Sequence, residues 1–478
     1  MPDEFLVSGE ALVRNLAIGY RLAKSYGGSM PVGYLPDLFG HVAQMPQILR
    51  LLGLDNAILW RGFGGTRAEY WWEAPDGSSV QLMHLPPEGY CNATRVAFNG
   101  EEMVARAMRA VDYEHERTVS GQVLLMNGVD HVEPHPAIPQ LVDRLSQNDG
   151  VRARHSTLPA YVDGVRQRVT REDAPPLETI AGELRGGEDY TNLLPGVLSA
   201  RVYLKQANAR IQTDLERDAE PLSTFAWLAG HPYPRGELRY AWRTLIQNQP
   251  HDSICGCSID AVHEENMSRF ARAEQVAEAL AERAATRLSD LVAPAQEDVL
   301  RLVVFNTDAQ VRSGVVETTI DLPYASAEGP SVSTPGAQCP GVHRFHIGIA
   351  PRSIPPGAAA LFAASRAFVL PLRSQLAGSD AGRGPRSQSF ITVTSEPRGI
   401  VLSALTKAED RDAVIVRVFN PEAATARVKV ALTKGLSSAF VVDLLERRQE
   451  ELAVIDGAAT FDVAPAQIKT IELTPVTV

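Results

Sequence analysis

Three rhythms of apolar and polar positions follow one another along the chain. From Met1 to about Tyr161, short apolar runs alternate with helical patterns. Ser8 is placed to cap a helix carrying Leu12, Leu16, Tyr20 and Ala23, which Gly27-Gly28 closes. Val32–Leu35 predicts a strand and Val42–Leu52 a helix closed by Gly53; Ala57–Trp60, Val80–His84 and Val123–Met126 predict further strands. Strands alternating with helices predict a mostly parallel α/β sheet or barrel.

From about Val197 to Ala293 the apolar period lengthens to that of a helix. Met267, Phe270, Ala273, Ala277, Leu280, Ala284, Leu288 and Leu291 recur every three or four residues, one face of a long amphipathic helix. Helices over Ala200–Arg217 and Leu238–Asn248 pack with it as a small bundle. From Val299 the period shortens to two. LRLVVFN, GVVETTIDL, AVIVRVFN, ARVKVAL and TIELTP alternate or run in β-branched residues between Gly, Pro and Asn, which predicts a β-sandwich. Ala377–Ser389 reads as a polar linker. The fold class is therefore multidomain α/β + α + β, with an α/β domain over 1–165, a helical bundle over 190–295 and a C-terminal β-sandwich region over 298–478.

A length of 478 residues suits two to four domains at ~100–200 residues each. Forty-six basic residues against 57 acidic ones give a formal charge of −11, which excludes phosphate-backbone binding as the main activity. No run approaches the ~18–20 apolar residues of a membrane span, and MPDEFLVSGE has no basic and apolar leader pattern. Four scattered cysteines, Cys91, Cys255, Cys257 and Cys339, do not form a disulfide framework. These features predict a cytoplasmic protein.

Three strand-like runs of the first segment deliver polar groups at their carboxyl ends. Val32–Leu35 delivers Asp37, Ala57–Trp60 delivers Arg61, and Val123–Met126 delivers Asn127 and Asp130. Loops converge there in parallel α/β architectures. Asp37 is also a common turn or N-cap residue, and the Asn-Gly of NGVDH announces a turn around Asp130. Two aspartates and an arginine are what a retaining glycosidase uses: one carboxylate attacks, the other protonates the leaving oxygen. Arg61 is placed to hold Asp37 ionised, or to serve as a surface ion-pair partner. In NQPHDSICGCSIDAVH, His251 follows Pro250, beside Asp252. Cys255, Cys257, His251 and His263 invite a structural zinc site, but Cys-x-Cys is not the usual spacing, and buried thiols account for them.

PDLFGHVAQMPQIL, LWRG, MNGVDH and NQPHDSICGCSIDAVH, in this order, resemble glycoside hydrolase family 38, the zinc-dependent α-mannosidases. The resemblance implies Asp37 as nucleophile and zinc ligand, His251 as a second zinc ligand from the helical segment, and Asp130 as general acid/base. It implies that Arg61 supports the nucleophile, Phe39 lines the sugar site and Asp252 hydrogen-bonds a sugar hydroxyl. The implied partner is a mannose-containing oligosaccharide or glycoside, and the implied cofactor is one zinc ion. The family's first strand carries a His-x-Asp pair with two further zinc ligands, and no such pair precedes Asp37. The chain thus reads as truncated at its amino terminus and shortened in its β region, with an incomplete zinc site and an exposed sheet edge that favours a homo-oligomer. A non-catalytic carbohydrate-binding remnant, or part of a split mannosidase, is the alternative.

Overall fold

The computed structural model describes residues 1–94, 102–130, 133, 135–148, 150–292, 302–309, 357–369, 372–376, 385 and 387–476. Helix α1 (Gly9–Ser25) starts at Ser8, whose Oγ accepts the Ala11 N–H at 2.9 Å. It ends where the Gly28 N–H returns to the Ala23 carbonyl. β1 (Gly33–Leu35), α2 (Met45–Leu51), β2 (Asn56–Leu59), β3 (Glu69–Glu73) and β4 (Ser79–His84) follow. Then come α3 (Met103–Arg117), α4 (Ile138–Leu145), α5 (Leu158–Val169) and β5 (Thr179–Ala181).

The five strands form one sheet of order β1-β2-β4-β3-β5. β1, β2 and β4 are parallel, whereas β3 runs antiparallel to β4 and β5 lies parallel to β3. Three of the four pairings are parallel, as expected, and the one antiparallel pairing arises because a tight Ala74–Ser78 turn joins β3 directly to β4. Its last strand, at 179–181, lies past the boundary placed at 165. One face is sealed by Leu12, Val13 and Ala17 of α1 with Ile48 and Leu49 of α2; the other packs on Tyr161, Val162 and Val165 of α5. β1 stands at the sheet edge with its residues buried or half-buried. Val123–Met126 is not a strand. Side chains take up part of its backbone bonding: Asn92 accepts from Met126 N at 2.7 Å and donates to Leu124 O at 2.9 Å, and Thr94 Oγ1 donates to Gly128 O at 2.6 Å.

α6 (Val202–Thr213) does not stop at Arg217 but runs through a π-helical turn, Asp214–Ala219, into α7 (Glu220–Leu228). Pro221 has no N–H to return to the Arg217 carbonyl, so the helix loosens there. α8 (Arg235–Ile246), the short α9 (His251–Cys255) and the 30-residue α10 (Asp260–Ser289) complete the bundle.

β6 (Leu302–Phe305) pairs with β7 (Arg373–Leu376), with α11 (Ala358–Val369) between them in the chain. GVVETTIDL and most of Ala377–Ser389 lie outside the described residues. The sandwich comprises β8 (Ile391–Glu396), β9 (Val401–Lys407), β10 (Val414–Phe419), β11 (Ala426–Leu432), β12 (Leu436–Val442), β13 (Arg448–Leu452), β14 (Val454–Ile455), β15 (Ala458–Val463) and β16 (Ile468–Pro475). Its antiparallel sheets, of orders β13-β12-β16-β10-β9 and β14-β15-β11-β8, share one core with the helical bundle. Among the described residues no helix is long and apolar enough to cross a membrane.

Buried ion pairs join the three segments. Glu10 of α1 accepts from Arg14 at 2.7 Å and from Arg417 of β10, and Arg14 reaches Glu220 of α7 at 2.8 Å. Burial pushes the Glu10 carboxyl up, but the two guanidinium groups outweigh it and hold the group below its usual range.

Candidate active site

The parallel strands β1, β2 and β4 end on the same side of the sheet, and their next residues meet there. Asp37 follows β1 by two residues, Arg61 follows β2 by two, and Tyr90 stands in a 3₁₀ turn (Gly89–Cys91) after β4. Two glycines permit the approach. Gly62 has φ +88°, and a Cβ there would lie 2.5 Å from the Leu184 carbonyl oxygen. At Gly89, φ +62°, a Cβ would lie 2.4 Å from the Trp60 ring.

Arg61 Nε donates to Asp37 Oδ1 at 2.6 Å, and its guanidinium lies 4.0 Å from the Trp60 ring centre and 5.4 Å from that of Phe39. The Tyr90 hydroxyl lies 3.3 Å from Asp37 Oδ2 and 3.2 Å from Asp130 Oδ2. The separation of these two carboxylate oxygens cannot exceed the sum of those lengths, a limit that accommodates the ~5–5.5 Å of a retaining pair. His251 crosses from the helical bundle with Nε2 3.6 Å from Asp37 Oδ2 and 3.8 Å from Asp252 Oδ1. Its backbone N–H donates to the Met1 carbonyl at 3.1 Å, and its ring meets Phe39 edge-on. The structure thus gathers Asp37, Phe39, Arg61, Asp130 and His251 around one centre. Asp252 is exposed at its rim.

Burial acts to raise the Asp37 carboxyl, but His251 and Arg61 reverse this and hold it below the usual carboxylate range. His251 is pushed above its ordinary value, chiefly by Asp37. Burial, then the charges of Asp37 and Asp130, drives the Tyr90 phenol far up, so it remains a donor. Tyr90 and Trp60 are the residues that reading the sequence missed. The PPEGY turn directly after Val80–His84 carried the same strand-end signal that located Asp37 and Arg61. Replacing Tyr90 by Phe removes a hydroxyl shared by two carboxylates. Loss of a hydrogen bond to a charged group, about 1.5–3 kcal/mol, predicts a fall of about 10- to 100-fold in any turnover that uses both carboxylates, with little change in substrate binding. Steady-state kinetics checks it.

Other histidine and cysteine side chains stand apart. His84 is buried, stacks on Tyr190 and has Nε2 3.2 Å from the Trp60 carbonyl oxygen; His131 lies outside the described residues. Cys255 is buried, with its thiol 3.5 Å from Asp3, whereas Cys257 is exposed. His263 is spent on the Ser258 carbonyl at 3.0 Å. Among the described residues these side chains form no group that could hold a metal ion.

The donors available for a catalytic zinc are Asp37 Oδ2 and His251 Nε2. Among the described residues no group of three His, Cys, Asp or Glu side chains is arranged to hold a metal ion. Catalytic zinc takes three protein ligands. The described residues do not complete such a site.

A carboxylate held ionised at the open end of a parallel strand pair, with a second carboxylate across one phenol, is compatible with the carboxylate pair that glycoside hydrolysis uses. The profile "Glycosyl hydrolases family 38 N-terminal domain" matches residues 1–181, "Alpha mannosidase middle domain" 192–288 and "Glycosyl hydrolases family 38 C-terminal beta sandwich domain" 399–471. The chain belongs to glycoside hydrolase family 38. It is 34% identical over 292 residues to a protein of Halalkalibacterium halodurans named "Putative mannosylglycerate hydrolase", covering 57% of this chain and 32% of that protein. It is 29% identical over 278 residues to the mouse protein named "Alpha-mannosidase 2C1", covering 56% of this chain and 25% of that one. The crystal structure of an α-mannosidase from Enterococcus faecalis V583 superposes with a TM-score of 0.61 at 35% identity, over 66% of this chain and 36% of that one. The chain spans about a quarter to a third of the length of these curated relatives.

Proposed function

We propose that the protein hydrolyses α-mannosidic bonds with retention of configuration, as a cytoplasmic enzyme acting on a mannose-containing oligosaccharide or glycoside. The observation that carries the reading is the Tyr90 hydroxyl within hydrogen-bond reach of both Asp37 and Asp130, with Arg61 bonded to Asp37 on its other side. Asp37, kept ionised, attacks the anomeric carbon. Asp130, exposed where the leaving group departs, delivers a proton to the glycosidic oxygen and then takes one from the incoming water. Phe39 and Trp60 flank Arg61 and offer ring surface to the sugar, and Asp252 at the rim accepts from a sugar hydroxyl.

Hydrolysis of an aryl α-mannoside by purified protein, with the first-formed anomer read by NMR, tests the reading. α-Mannose released first supports it, and β-mannose released first overturns the retaining step. A folded sample that binds mannoside without turnover reduces the protein to a carbohydrate-binding role. A zinc arm runs beside it. With the two donors Asp37 and His251, zinc is expected to be lost on dialysis, read by metal analysis. A stoichiometric ion that survives dialysis shows that donors beyond the described residues complete the site.

A further inference from the structure

Away from Asp37, a cavity of about 360 Å³ opens where all three segments meet, between α1, α8 and strands β9 and β10. It shares no lining residue with the Asp37 centre. Seven cationic side chains line it against three carboxylates, in a chain whose net charge is −11. On α8, Arg235, Arg239 and Arg243 stand at four-residue intervals, so they stack on one face about 6 Å apart. Like charges at this spacing cost a helix a few tenths of a kcal/mol each, so helix stability does not account for the ladder.

Most of the cations have internal partners. Arg14 and Arg417 are held by Glu10, Arg239 by Glu409, and Lys407 by Asp412 at 2.8 Å. Among the described residues, no carboxylate lies within 4.0 Å of the Arg235 or Arg243 guanidinium. Arg243 is exposed and Arg235 half-buried, and their backbones are about 12 Å apart along the helix. Arg239, held by Glu409, stands between them, and Val13, Ala17 and Leu238 contribute apolar surface to the lining. A volume of this size, with an apolar wall and a few fixed charges, matches a small-molecule site, and a guanidinium fork fits phosphate oxygens in pairs.

We propose that this cleft is a second ligand site, which takes a sugar bisphosphate with one phosphate on Arg235, the other on Arg243 and the sugar against the apolar wall. Because α1, α8 and the sandwich all contribute, the ligand ties the three segments together and stabilises the folded chain by mass action. The inference does not depend on the reading of the Asp37 centre, and it is tested in Asp37→Asn protein as well as in the unaltered chain.

The experiment is calorimetric titration and thermal unfolding with fructose 1,6-bisphosphate, mannose 6-phosphate, inorganic phosphate and mannose, at constant ionic strength set with chloride. Saturable binding and a rise in Tm are expected for the bisphosphate, with a weaker response to the monophosphates and none to mannose. The Arg235→Ser/Arg243→Ser double variant is expected to lose at least tenfold in affinity. The single Arg243→Ser variant, at an exposed position, gives the same reading if the double variant does not fold. A response to the bisphosphate no larger than that to inorganic phosphate at equal ionic strength overturns the proposal, as does binding that survives both substitutions unchanged.

Discussion

Asp37→Asn protein folds as before and loses aryl mannoside turnover by about 10⁴-fold or more. The substitution keeps the shape of the side chain and an oxygen for the Arg61 Nε–H, now bonded at 2.6 Å, while removing the charge to which the proposed mechanism assigns the attack. Circular dichroism and the melting temperature separate this outcome from misfolding. A second variant makes the role specific. Asp37→Gly opens room for azide, which is expected to restore part of the turnover and to give β-mannosyl azide. Full activity in the Asn variant would remove Asp37 from the chemistry.

Glu10→Ala is expected to cost about 3–5 kcal/mol of stability, because among the described residues it leaves the buried Arg417 guanidinium without a carboxylate and takes one of two from Arg14. Glu10 and Arg417 are 5% and 6% exposed, and Arg14 then has only Glu220 as a carboxylate partner. Denaturant unfolding measures the loss. The same pair sets a pH dependence. The folded-state pKa of Glu10 lies below its unfolded value, so its contribution is fully present above the unfolded pKa of about 4.3. It is lost as the pH falls through the folded value, where protonation weakens both ion pairs. The stability difference between the parent and Glu10→Ala therefore narrows under acid. A difference independent of pH would show that packing, not charge, governs the site.

Local pattern made much of this legible. Ser8, the apolar stripe of α10 and the alternation of β11 each report their own neighbourhood, because a cap, a helix face and a strand face are set within a few residues. Asp37 and Arg61 are legible for a related reason, since each stands two residues beyond the end of a short apolar strand. What escaped was decided at long range. β3, with EYWWE flanked by charges, gave no apolar run, yet Trp72 is fully buried and the strand reverses the sheet's direction. Asp130 arrives on a stretch held by Asn92 and Thr94 rather than on the strand expected of Val123–Met126, since side-chain bonding across 34 residues leaves no periodic trace. The π turn before Pro221 is equally silent, because its cause lies in one missing N–H.

The link between Met1 and His251 has a practical side. Pro2 and Pro250 sit opposite each other in an isolated antiparallel bridge, and the Met1 carbonyl receives the His251 N–H. Prolines have no N–H with which to extend that bridge into a ladder. Any polypeptide joined ahead of Met1 leaves the protein beside His251 and Asp37. An affinity tag fused there would crowd the Asp37 centre and offer its own histidines to added zinc, so assays and metal measurements call for a tag on the sandwich, after β16.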